Sequence, residues 1–121
     1  MTHPTLQHCQ DQLATFAARE CPEDWATTLD TVRVGDATLT VLTIFWEARG
    51  ADTVPREARL TFGLDNRLLF IQALDPGMFA HALEEGFDTT QADAVATRKL
   101  GTFEDLFAYL KGEAYHLADH L

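Results

Sequence analysis

The chain has no serine, only two lysines and only two cysteines among its 121 residues, and each scarcity closes a route. Without serine the commonest hydroxyl nucleophile is missing. With Lys99 and Lys111 as the sole lysines, a buried Schiff-base amine has few candidates. Cys9 falls within a helical pattern and Cys21 directly precedes Pro22. Neither has a neighbouring histidine to activate it, and their spacing forms no disulfide framework. Reduced thiols in a cytoplasm are the expected state. Glycines occur singly, so there is no Walker or dinucleotide-binding loop and no cofactor is implied. No apolar run approaches the roughly 20 residues that span a bilayer. The start, "MTHPTLQHCQ", lacks the basic and apolar segments of a secretory signal. The reading is therefore cytoplasmic, with no membrane partner.

Positive charge is scarce too. Nine bases stand against nineteen acids, a net charge of −10, and the acids are spread through both halves. Such a field repels phosphate backbones, which argues against direct nucleic-acid binding, and steers basic protein surfaces inward. A basic partner, for example a nucleic-acid-binding protein, fits this charge. Solubility alone also accounts for it.

What is present is a globular composition, 46 % hydrophobic, in a chain of single-domain length (1–121). Pro4 suits a first helical turn, and Leu6, Cys9, Leu13 and Phe16 follow at helical spacing to an end near Glu20. Strands are expected over about Thr27–Val34, Thr38–Gly50, Arg56–Leu64 and Arg67–Leu74, with turns at Gly35-Asp36 and Asp65-Asn66. Asp75-Pro76 caps and opens a helix that Gly86 ends. Residues Thr90 to Leu100 read as weakly helical, and Thr102 caps a last helix carrying Phe103, Leu106, Phe107, Leu110, Ala114 and Leu117. The fold class is α+β: an N-terminal helix, a four-stranded antiparallel meander, and two or three C-terminal helices packed on the sheet.

The second strand, "TLTVLTIFWEARG", is apolar on both faces, which a half-buried strand should not be. Pairing Glu47 with Arg59 also pairs Arg49 with Glu57, and two opposite-charge pairs recommend that register. It sets Trp46 against Leu60, Ile44 against Phe62 and Leu42 against Leu64 on a core face joined by Leu29, Leu69 and Ile71. The first and last helices have the longest apolar stripes and are assigned to that face. The opposite face then carries Val32, Val34, Leu39, Val41, Phe45, Leu68, Phe70 and Leu74, with Phe45 and Phe70 flanking Thr61. Exposed, it exceeds the apolar patch a soluble monomer usually tolerates. The middle helices can cover part of it, with a homodimer or a partner protein completing the burial; the alternative is that the middle helices fold back and close the face entirely.

One further cluster bears on metal. In "GEAYHLADH", Glu113, His116 and His120 share one helical face, and three such ligands suit zinc. Histidines near a helix C-terminus also suit the macrodipole without a metal, and that reading is preferred. Arg49, Arg56 and Arg59 gather near the loop after the second strand without the aromatic interleaving of a nucleic-acid platform. The adjacent acids Glu23-Asp24, Glu84-Glu85 and Glu104-Asp105 read as solvated faces or helix starts, since neighbours on a helix do not face one substrate.

The leading helix from Pro4, the meander from Thr27 to Leu74 and the closing helix from Thr102 together resemble the type III secretion chaperone fold, and in particular its YbjN-like relatives. That resemblance implies a homodimer without catalytic residues that binds other proteins across apolar surface. The secretion chaperones return to the sheet after their middle helix, whereas no strand is expected here between Gly86 and Gly101. The leading expectation is a non-enzymatic, chaperone-like adaptor. The alternatives are an inhibitor or immunity protein for a basic toxin enzyme, and a small metal-binding protein built on Glu113, His116 and His120.

Overall fold

The computed structural model describes residues 4–47 and 56–111, the Pro76 side chain excepted. Thr5 is extended and its hydroxyl accepts the His8 amide at 3.2 Å, so it caps α1, Leu6–Glu20. Pro4 therefore precedes the cap instead of opening the helix. Its carbonyl accepts the Leu68 amide at 2.9 Å, which ties the helix start to the sheet. The helix ends where Cys21 turns left-handed, at φ 48°, and donates its amide to the Ala17 carbonyl.

Four antiparallel strands follow: β1 (Asp24–Val34), β2 (Ala37–Glu47), β3 (Arg56–Phe62) and β4 (Leu68–Leu74). Gly35, at φ +61°, opens the two-residue β1–β2 turn as the sequence predicts. Asp75 caps α2 (Pro76–Glu84), and Asp88 caps α3 (Thr89–Ala96) through a reciprocal capping box with Gln91. The chain then forms β5 (Thr97–Leu100) before α4 (Phe103–Lys111). The strand order is β1-β2-β3-β4-β5. The α+β class holds, but the sheet has five strands where four were expected. Thr97–Leu100 is too short to show alternation, and pairing with the open side of β4 decides its conformation, Ile71 facing Leu100 and Leu74 facing Thr97.

The β2–β3 register departs from the charge-pair reading. Leu42 faces Leu60, Ile44 faces Ala58 and Trp46 faces Arg56, while Glu47 lies opposite Asp24 of β1. Arg49 is outside the described residues. The offset is four residues, an even number, so each side chain keeps its expected face. Exposed charge pairs contribute under about 1 kcal/mol and lose to apolar alignment on the buried side. A second correction lies in β4. A bulge between Thr61 and Phe62 shifts the pairing, so Phe62 faces Leu68 while Thr61 faces Phe70. That one-residue step sends Leu68 into the core and turns Leu69 outward. Leu64, expected in the core, is also exposed, in the turn beyond β3.

The core lies on one side of the sheet, under α1 and α4 as expected. Leu42, Ile44, Trp46, Leu60, Phe62 and Ile71 meet Cys9, Leu13 and Phe16 of α1 and Leu106, Tyr109 and Leu110 of α4. Phe16 joins the layers, 5.0 Å from the Trp46 ring and stacked at 4.2 Å on Phe107. The buried Tyr109 hydroxyl donates to the Leu74 and Glu57 carbonyls, fastening α4 to β4 and β3. Burial pushes its pKa up to about 12. Two helices about 10 Å apart span roughly four strands at about 4.8 Å spacing. The fifth is left over, and it is β1. Leu29 and Trp25 point to the core side yet stay exposed.

Candidate interaction face

The register places the opposite face in rows that cross the sheet. One row runs Asp30, Val41, Thr61, Phe70 over four strands, with Val32 opposite Leu39 beside it. The next runs Thr28, Thr43, Arg59, Gln72, Lys99 over five, and the one after it runs Ala26, Phe45, Glu57, Leu74, Thr97. Of the eight residues expected there, Val32, Val34, Leu39, Val41, Phe45, Phe70 and Leu74 are on this face. Leu68 is not, because of the bulge. Phe45 and Phe70 do not flank Thr61. Thr61 has Phe70 on one side and Val41 on the other, and Phe45 lies beyond the polar row, opposite Glu57.

The face is thus an aliphatic half and an aromatic end, separated by a polar band. The aliphatic half forms a groove of about 410 Å³ lined by Val32, Val34, Leu39, Val41, Thr61 and Phe70, with Asp30, Thr43, Arg59 and Gln72 along its polar wall. Val32, Val34 and Phe45 leave 45 %, 56 % and 38 % of their surface open. Lys99, on β5, rests its ammonium 5.4 Å from the centre of the Phe70 ring, a cation–π contact.

The middle helices cover only one flank. Their attachment is the Arg59 guanidinium, which donates to both carboxylate oxygens of Asp93 on α3, at 2.8 and 3.1 Å, and to Glu57 at 3.0 Å. Ala92 and Ala96 are buried, and the Thr97 hydroxyl donates to the Asp93 carbonyl at 2.6 Å, locking the end of α3 onto β5. The fork holds the Asp93 carboxyl below the usual carboxylate range and raises the Arg59 pKa further. Sequence reasoning placed Arg59 in a cross-strand pair with Glu47 and missed Asp93 and Lys99 altogether. The face of Arg59 was legible from its parity with Thr61; the partner on α3 was not, because it lies 34 positions away.

The rest of the face is acidic. Asp24 opposite Glu47 sets two carboxylates side by side at the aromatic end, and Asp30 borders the groove. Cys9 is fully buried, and burial pushes its thiol pKa up to about 11, so no thiolate forms near neutrality. Glu113, His116 and His120 lie outside the described residues. Among the described residues no helix is long and apolar enough to cross a membrane. Comparison with protein-family profiles, curated proteins and solved structures finds no match to this chain.

Proposed function

We propose that the protein is a non-enzymatic, chaperone-like adaptor that holds a partner protein against the second sheet face. One observation carries the reading: the groove between Val32, Val34, Leu39, Val41 and Phe70 stays open although the chain has two helices on that flank. α2 and α3 form a side wall, held by Arg59, instead of a lid. The acidic rim at Asp24, Asp30 and Glu47 and the net charge of −10 favour a client that places apolar side chains in the groove and basic ones around it. β5 adds support, since a strand after the middle helices is what type III secretion chaperones have. The homodimer and the cytoplasmic setting belong to the same proposal.

The test replaces Val32, Val34 and Val41 together with threonine. This keeps β-branched shape and strand propensity while removing apolar surface. The wild-type protein should suppress light scattering from an unfolded basic protein and lose that effect as salt rises. The triple variant should keep its circular dichroism spectrum and fail to suppress. Equal suppression by the variant would remove the face from the function.

A further inference from the structure

We infer that two copies of the chain join edge to edge along β1, forming one ten-stranded sheet around a two-fold axis at Leu29. This rests on the homodimer of the reading above and deepens it, because it places self-association on the sheet edge and leaves both second faces open to a client.

β1 is an unusual edge. Its eleven residues are all exposed, and it pairs with β2 through eleven consecutive partners without a bulge. Soluble proteins blunt such edges with short strands, proline, lysine or bulges. β5, at the other side of the sheet, has only four residues. Asp24–Val34 contains no proline, lysine or glycine. It also carries large apolar side chains past the reach of the core helices: Trp25 and Leu29 are 37 % and 50 % exposed.

The sequence of β1 is complementary to itself in one register. An antiparallel two-fold pairing that uses all eleven residues must be centred on the sixth, Leu29. Leu29 then meets Leu29, Trp25 faces Arg33, Thr27 faces Thr31, Thr28 faces Asp30, Ala26 faces Val32, and Asp24 faces Val34. No like charges are opposed, and the one cation falls opposite the one aromatic, in reach of a cation–π contact. Centring on Asp30 would set that carboxylate against its own copy. Centring on Thr28 would break up both the Leu29 pair and the Trp25–Arg33 pair. A slip of one residue would oppose core-side to outer-side residues. The central register provides about ten inter-strand hydrogen bonds. It also keeps both helical layers on one side, so the two apolar grooves share a single continuous face.

The experiment uses the whole chain with Cys21→Ala, which removes the exposed native thiol and leaves the buried Cys9. Leu29→Cys should be captured as a covalent dimer by a thiol cross-linker shorter than about 8 Å, since opposed Cβ atoms lie about 5 Å apart. Thr27→Cys alone should resist it, its two copies being about 14 Å apart. A mixture of Thr27→Cys and Thr31→Cys chains should cross-link as a heterodimer. Sedimentation should give twice 13.5 kDa for the wild type. Leu29→Arg sets two cations at the axis and should raise the dimer dissociation constant about tenfold or more with an unchanged circular dichroism spectrum. The inference is overturned by a wild-type monomer at the highest soluble concentration, by a dimer that survives Leu29→Arg, or by equal cross-linking through Thr27→Cys alone. A chain that stays monomeric but takes up an added strand peptide overturns it as well. Equal suppression by the threonine variant with the dimer intact overturns the face reading alone, and a monomeric wild type that still suppresses overturns the edge pairing alone, so the two readings fail separately.

Discussion

Replacing Arg59 with methionine keeps most of the aliphatic stem and removes the guanidinium that ties α3 to the sheet. Three charge-assisted hydrogen bonds are lost, at 2.8 and 3.1 Å to Asp93 and 3.0 Å to Glu57. The side chains are 30 % exposed for Arg59 and 38 % for Asp93, so the stranded carboxylates rehydrate. The several kcal/mol lost on breaking a fully buried pair therefore does not apply. A two-pronged fork still exceeds an ordinary surface pair, which puts the loss at about 1 kcal/mol near pH 7. The pH dependence follows from Asp93. Hydrogen bonds from Arg59 hold its folded pKa below its unfolded one. The stabilisation is complete above the unfolded carboxylate pKa of about 3.9 and is lost as pH falls through the lower folded value. Urea unfolding of wild type and variant, followed by circular dichroism at several pH values, reads the difference directly. It should be flat from neutral pH down to about 5 and shrink toward zero in strong acid. A difference of equal size at both ends would assign the loss to stem packing and refute the electrostatic account.

Tyr109→Phe removes the hydroxyl that reaches the Leu74 and Glu57 carbonyls, and should cost about 1–3 kcal/mol by denaturant titration without changing the fold. In thiol labelling, Cys21 should react promptly under native conditions and Cys9 only after unfolding, since Cys9 is buried with its pKa pushed up to about 11. Gly35→Ala should lower stability by about 1 kcal/mol because its φ of +61° strains any side chain. Space is not the cause there, since nothing lies within 4 Å of the position a Cβ would take.

The caps and periods were readable because they are local. Asp75, Thr102 and the Gly35-Asp36 turn act within three residues, and Cys9, Leu13 and Phe16 mark the buried stripe of α1 directly. The faces of β2 and β3 also came out correctly, despite a register error of four residues, because a period of two cannot distinguish even shifts. What failed was non-local. The bulge at Thr61–Phe62 reverses the sides of Leu68 and Leu69, and its one sequence signal is Gly63 just beyond β3. β5 follows an alanine-rich stretch that favours helix, and only its pairing with β4 makes it a strand. The Arg59–Asp93 fork joins elements that no sequence pattern relates.

On the proposed function, the polar row between the two apolar halves of the second face would set a spacing rule for the client. Val41 and Phe45 are four residues apart along β2, about 13 Å, with Thr43 midway beside Arg59. An extended client lying along the strands satisfies both halves only if its own apolar residues fall four apart with a hydrogen-bonding residue between them. A client crossing the strands meets one row at a time and gains a single contact zone. Such a surface selects by the interval between apolar side chains, so two segments of identical composition but different order would be held unequally.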